Sequence, residues 1–208
     1  MKKFTLAMML AAMMLFAASS LFAEGMMFGV KGGLNIANLT GDDVEDASSK
    51  TAVVAGVFFS YDITEIFAVQ PELLFSMKGT TMDAEEGEEN WKTTYLELPL
   101  LLKVNLPTEG KIKPMLYAGP AFGLLMSAKV EDEDIKDQLK TMDIGIVAGA
   151  GVGYQLEKGL IFAEARYEIG LTGLTDFSDA ELDAIGMTEQ PDAKNSTISI
   201  MVGYGFPF

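Results

Sequence analysis

The chain has 208 residues and a formal net charge of −15, from 30 acidic against 15 basic side chains, with no His and no Cys. The missing imidazole and thiol exclude Ser-His-acid triads, cysteine nucleophiles, disulfides and His- or Cys-ligated zinc. The negative charge argues against nucleic acid, whose phosphates demand the opposite sign, and the length suits one domain.

In chain order, Lys2 and Lys3 form a positive n-region, Leu6 to Phe16 an apolar h-region, and Ala17, Ala18, Ser19 and Ser20 lead to Ala23. This is the pattern of a secretory signal peptide over residues 1–23, with 24–208 as the mature domain. The competing reading, a membrane-spanning helix over Leu6–Phe22, is at the short limit for a bilayer. Removing 1–23 takes away two lysines and no acid, which brings the 15 basic residues to 13 and the net charge from −15 to −17.

Eight strand-like segments follow: 27–37, 52–62, 66–77, 92–104, 112–129, 142–155, 160–171 and 196–208. Most reach the ~9–11 residues that a tilted strand needs to cross a bilayer. No run after the signal is long enough for a transmembrane helix. Only helices and closed barrels satisfy every backbone group in hydrocarbon, so a membrane protein of this kind is an all-β, eight-stranded antiparallel up-and-down transmembrane barrel. Gly145, Gly149, Gly151 and Gly153 lie inside one strand, where they permit curvature and leave room for bulky lumen side chains. Pro71 and Pro99 each remove a ladder donor and predict a bulge or local break.

The connections alternate in length. Asn38–Thr51, Gly79–Trp91, Val130–Thr141 and Thr172–Asn195 are long; Ile63–Glu65, Asn105–Lys111 and Glu157–Gly159 are short. Short turns inside and long loops outside place both termini in the periplasm of a bacterial outer-membrane barrel. Twenty of the 30 acidic residues fall in the long loops, including Asp42, Asp43, Glu45 and Asp46 in the first and Asp83, Glu85, Glu86, Glu88 and Glu89 in the second. The second cluster supplies hard oxygen ligands for a divalent cation bridging to lipid phosphates, but lacks the spacing of a calcium loop; a solvated loop is the favoured reading. In the last loop, Ser178-Asp179-Ala180-Glu181-Leu182 starts like a capped short helix ending near Gly186.

Parity assigns the faces. Phe67, Val69, Leu73, Phe75 and Met77 oppose Ala68, Gln70, Glu72, Leu74 and Ser76. Leu96, Leu98, Leu100 and Leu102 oppose Tyr95, Glu97, Pro99 and Lys103, while Ile161, Ala163, Ala165, Tyr167 and Ile169 oppose Phe162, Glu164, Arg166 and Glu168. Phe28, Val30, Leu34 and Ile36 oppose Lys31 and Asn35. A Lys or Arg at the midplane costs ~2–4 kcal/mol on the lipid side, so the charged faces point inward. Lys31, Gln70, Glu72, Glu97, Lys103, Glu164, Arg166 and Glu168 are therefore the expected lumen polar network, either a structural plug, the favoured reading, or a pore lining. Acids outnumber bases there, so each cation is expected to be shared. In the last strand Ile198, Ile200, Val202, Tyr204, Phe206 and Phe208 share one face; Tyr204, Phe206 and Phe208 are expected to form a C-terminal assembly signal for the barrel-assembly machinery. Glu164 and Glu168, four apart on a strand, stand ~13 Å apart, too far for a catalytic dyad. Gly149-Ala150-Gly151-Val152-Gly153 sits inside a strand with no helix after it, unlike a phosphate loop. No catalytic residue, metal or cofactor is expected.

An ordered series of motifs carries a family resemblance: Gly29-Val30-Lys31-Gly32-Gly33-Leu34-Asn35, then Gln70 to Gly79, Tyr95 to Lys103, Pro114 to Pro120, and Ala163-Glu164-Ala165-Arg166-Tyr167. Together they resemble the outer-membrane β-barrel domain of the PorT-like porin family, over nearly the whole mature chain. The resemblance implies a barrel of roughly eight strands in the outer membrane, mostly without an assigned substrate; some relatives are linked to secretion machinery.

The leading expectation is an integral outer-membrane barrel, in contact with outer-membrane lipid, with a structural or surface-interaction role and at most a narrow pore. What the loops touch is not legible from the chain. A passive diffusion channel is the first alternative. A soluble lipocalin-like carrier needs the reverse parity, and an outer-membrane enzyme is disfavoured by the missing His.

Overall fold

The computed structural model describes residues 25–41, 47–84, 87–131, 133–177, 182, 189–191 and 193–207, with side chains omitted at 47, 82–84 and 87–89. The signal-peptide boundary, Asp42 to Asp46, Glu85, Glu86, Phe208 and all of the helix expected near Ser178 except Leu182 lie outside the described residues, as do the side chains of Asp83, Glu88 and Glu89.

Eight long strands carry the fold: β1 (Met26–Thr40), β2 (Ala47–Asp62), β3 (Phe67–Ala84), β4 (Gly87–Asn105), β5 (Ile112–Val130), β7 (Met142–Leu156), β8 (Gly159–Gly170) and β9 (Lys194–Pro207). A two-residue strand, β6 (Glu133–Asp134), hangs on the end of β5. All pairings are antiparallel between chain neighbours, with β1 against β9. The eight long strands therefore close into a ring, and none of them is a free edge. No helix among the described residues is long and apolar enough to cross a membrane; the spanning elements are strands.

Alternation places the side chains. On β3, Phe67, Val69, Leu73, Phe75 and Met77 are exposed, while Ala68, Gln70, Glu72, Leu74 and Ser76 are buried. The same division holds on β8 and β9, where Ile161, Ile169, Ile198, Ile200 and Val202 face out. Large apolar side chains thus cover the cylinder, the reverse of a soluble barrel and the surface that hydrocarbon requires. Met27 pairs with Pro207, so the described chain starts and stops at one rim, that of the short turns 63–66, 106–111 and 157–158. Gly110, in the second of these turns, has φ 105°, a conformation that favours glycine.

One expectation needs correction, and one left open is decided. The first two long connections are mostly strand: β1 and β2 run on to Thr40 and Ala47, and β3 and β4 stay paired from Thr80↔Trp91 to Ala84↔Gly87. Thr80, Thr81 and Asn90 are polar, which reads as a loop. Above the bilayer a paired hairpin needs no apolar face, so the ladder continues. The connections at 131–141 and 171–193 remain long. Pro71 and Pro99 cause no bulge. The β3–β4 ladder steps from Pro71↔Leu100 to Leu74↔Glu97 with no change of register, and β4–β5 from Pro99↔Ala121 to Leu102↔Ala118. Each proline thus produces a local break. The register shifts fall instead between Ser49 and Val54 on β2 and at Thr94/Tyr95 on β4.

Ile200, in the middle of β9 and outward-facing, provides a test of this surface. Ile200→Arg is expected to lower stability in lipid by about 2–4 kcal/mol, whereas Thr81→Arg, beyond the apolar band, changes it by less than about 1 kcal/mol. Denaturant titration of the heat-modifiable folded band measures both.

Candidate functional site

Buried ionisable side chains of four strands converge in the interior of the barrel. Lys31, Gln70, Glu72, Glu97, Lys103, Glu164, Arg166 and Glu168 all point into it and are between 2 and 6% exposed. They sit on β1, β3, β4 and β8, brought together only by closure.

Two ionic clusters result. Nearer the turns, Lys31 Nζ lies 2.6 Å from Glu72 Oε1 and 2.7 Å from Glu164 Oε1. Arg166 Nη1 donates to Glu72 Oε2 at 2.9 Å, and Gln70 Nε2 donates to Glu72 Oε1 at 2.8 Å. Glu72 is thus held by three donors from three strands. Nearer the loops, Lys78 Nζ lies 2.7 Å from both Glu97 Oε1 and Glu168 Oε1. Lys103 departs from the expected sharing: it donates to Ser60 Oγ at 2.8 Å and Gln70 Oε1 at 3.1 Å, and forms no ion pair among the described residues. Buried charge persists only with such partners, because desolvation costs several kcal/mol per ion. Four buried cations, Lys31, Lys78, Lys103 and Arg166, stand against five carboxylates, including Asp143.

Sequence reading missed several members. Lys78 shares the inward parity of Gln70, Glu72 and Ser76; it was lost because Lys78-Gly79 reads as the start of a loop. Asp143, at the start of β7, accepts from Thr172 Oγ1 and Asn195 Nδ2, both at 2.7 Å. Asn35 takes Ser199 Oγ on its carbonyl at 2.8 Å and gives its amide to Ser76 Oγ at 2.9 Å. Continued parity could have found Asp143; the Asn and Ser partners are too common to signal themselves. Gly149 faces inward beside the lower cluster, and a Cβ there would stand 2.6 Å from the Tyr117 ring and 2.7 Å from Arg166 Cβ.

Apolar layers separate and close the ionic ones. At the turn end, Phe58, Met115, Leu160 and Phe162 pack together, with the Phe58 and Phe162 rings edge to face at 5.4 Å. In the middle lie Val54, Leu74 and Met201, and Leu101, Tyr117, Ala121 and Val147. At the loop end, Tyr95, Leu125 and Ala128 meet Ile135, Leu139 and Leu174 from the third and fourth connections. Those connections are stitched by Lys140 N–H to Leu174 O at 2.8 Å and Asp176 N–H to Gln138 O at 2.9 Å. A void beside Phe58, Lys103 and Glu164 measures about 10 Å³, roughly one water.

At the C-terminal strand, Tyr204 and Phe206 face outward at the turn rim, their rings 4.6 Å apart, and Tyr204 Oη donates to Lys158 O at 3.0 Å. No group of three or more acidic side chains among the described residues is placed to hold a metal ion.

A closed antiparallel cylinder with an apolar exterior and ionised residues within defines an integral membrane β-barrel. The chain belongs to the outer membrane protein beta-barrel domain family, whose sequence profile matches residues 18–176. No curated protein matches it. Among solved structures, Neisserial surface protein A is similar at TM-score 0.56 and 14% identity, over 89% of this chain and 100% of that one. OprG from Pseudomonas aeruginosa is similar at TM-score 0.53 and 13% identity, over 88% of this chain and 97% of that one. Outer Membrane Protein W of E. coli follows at TM-score 0.50 and 14% identity, over 90% and 100%. At these identities the likeness is one of fold. This is a small eight-stranded barrel of the bacterial outer membrane.

The lower cluster sets a stability expectation. Glu72→Leu leaves Lys31 with one partner and Arg166 without its carboxylate, and is expected to cost about 3–5 kcal/mol. Lys103→Met, which breaks no ion pair, costs less. Guanidinium unfolding of the two variants in one detergent checks the order.

Proposed function

We propose that this chain works as a sealed outer-membrane barrel, a scaffold that holds its loop rim at the cell surface for a structural or surface-interaction role. The observation that carries the reading is the filled interior. Both ends of the lumen are closed by apolar side chains, and most charges between them are paired with one another, Lys103 and Asp143 being held by neutral partners. A permeant ion would have to break Lys31–Glu72 or Lys78–Glu97 and then pass a dry layer. A passive diffusion channel needs an aqueous path, which this packing does not offer.

The finer PorT-like assignment rests on the motif series Gly29 to Asn35, Gln70 to Gly79 and Tyr95 to Lys103. Both termini are assigned to the periplasm because Met27 and Pro207 pair at the rim of the short turns. Tyr204, Phe206 and Phe208 are read as the signal engaged by the barrel-assembly machinery. Outer-membrane lipid is the expected surrounding, nucleic acid is not a partner, and no catalytic role is assigned.

Planar-bilayer recording tests the sealed state. The folded protein is expected to give no discrete conductance steps at moderate voltage. Regular steps with ohmic behaviour would establish the diffusion channel instead.

A further inference from the structure

Three lysines stand together on the outside of the barrel, just beyond the loop-side edge of its apolar band. Ser49 pairs with Thr80, which sets Lys50 of β2 beside Gly79 of β3. Gly79 pairs with Lys92 of β4, and Lys92 with Lys129 of β5. Gly79 has no side chain, so the Lys50 stem lies across it, its Cδ 3.4 Å from where a Cβ would be. Asn90 Oδ1 accepts from Lys50 Nζ at 2.8 Å and turns that ammonium toward β4. Lys92 and Lys129 are exposed and Lys50 half-buried. Neighbouring strands are ~4.8 Å apart, so the three stems span about 14 Å, and their ends can converge. One step toward the membrane, the outward positions are Met77, Thr94 and Ser127; the next are Phe75, Leu96 and Leu124. The belt therefore lies at headgroup height.

Among the described residues its charge is only partly balanced from within. Like charges directly opposite in a ladder repel, as Lys92 and Lys129 do. No ion pair reaches any of the three among the described residues. Among the described carboxylates, Glu131 lies within electrostatic reach of Lys92 and Lys50 without pairing with either. Glu131 Oε1 accepts from Asn90 N–H at 2.8 Å and from Asn90 Nδ2 at 3.2 Å, and these bonds, with the nearby charges of Lys92 and Lys50, hold its carboxyl below the usual range. Asp134 Oδ1 accepts from Lys136 N–H at 3.0 Å. Among the described residues, three cations gathered at this height thus face one nearby carboxylate, Glu131, and no ion pair, which leaves positive charge for an anion from outside.

We propose that Lys50, Lys92 and Lys129 form a binding site for the phosphate headgroup of a membrane lipid in the leaflet on the loop side. Lysine suits this role as a compact cation with three donors, and the apolar band below supplies a surface for the acyl chains. The site rests on the barrel lying in a bilayer and is independent of whether the lumen conducts.

Native mass spectrometry of the full folded chain in neutral detergent tests it, with phosphatidic acid, the matching diacylglycerol and inorganic phosphate as probes. Phosphatidic acid is expected to bind, and the Lys50→Gln/Lys92→Gln/Lys129→Gln variant to bind it at least tenfold more weakly. The triple Lys→Arg variant should retain binding. A Lys111→Gln/Lys158→Gln control at the turn rim should change it less than twofold. Heat-modifiable migration confirms that each variant is folded, which separates failure of the site from failure of the barrel. Equal binding by wild type and the Gln variant, equal binding of diacylglycerol, or inorganic phosphate binding as tightly as the lipid would each overturn the assignment.

Discussion

Closure of the sheet is the constraint from which the other features follow. A strand in hydrocarbon must find a partner for every backbone N–H and C=O, because an unpaired group costs several kcal/mol there. The β1–β9 pairing, made between segments far apart in sequence, completes the ring of strands. Once the ring exists, each strand has one face in lipid and one in a narrow interior, and alternation becomes obligatory. Charged side chains can then go only inward, where an eight-stranded cylinder has just enough room for them.

That room is shared with apolar residues in an ordered way. Along β8 from the turn end, Leu160 and Phe162 precede Glu164, Arg166 and Glu168, and along β3 Gln70 and Glu72 are followed by Leu74, Ser76 and Lys78. Ionic layers confined between apolar ones are kept from water, which strengthens each pair and raises the penalty for an unmatched charge. The clusters cross-link strands: Lys31 joins Glu72 of β3 to Glu164 of β8, and Lys78 of β3 reaches Glu97 of β4 and Glu168 of β8. Glu72 alone ties β1, β3 and β8 together through Lys31, Gln70 and Arg166.

The rims differ. At the turn side, aromatic residues such as Tyr204 and Phe206 mark the interface, and Lys111 lies 5.9 Å from the Tyr154 ring. At the loop side, the third and fourth connections fold over the barrel mouth, contributing Ile135, Leu139 and Leu174 to its apolar cap, and β3 and β4 extend as a paired hairpin. Most acidic residues of the chain lie in these loop-side segments. The loop-side segments are thus strongly anionic, above a wall whose cations are few and localised.

Strand number, antiparallel order, face assignment and the fate of most charged residues were legible in the chain, because period-two alternation and the cost of charge in lipid are local rules. They located Glu72, Glu97, Glu164 and Arg166 on inward faces without any knowledge of neighbours. The limits of the strands were not legible, since a polar hairpin beyond the bilayer obeys no apolar pattern; Lys78 was lost from the network for that reason. Only the closed structure decided which charge meets which, that Lys103 is held by Ser60 and Gln70, and that Lys50, Lys92 and Lys129 share one height. Those facts depend on register between strands as far apart in sequence as β1 and β8. Register is set by the shear of the whole barrel and by two bulges, which no single segment encodes.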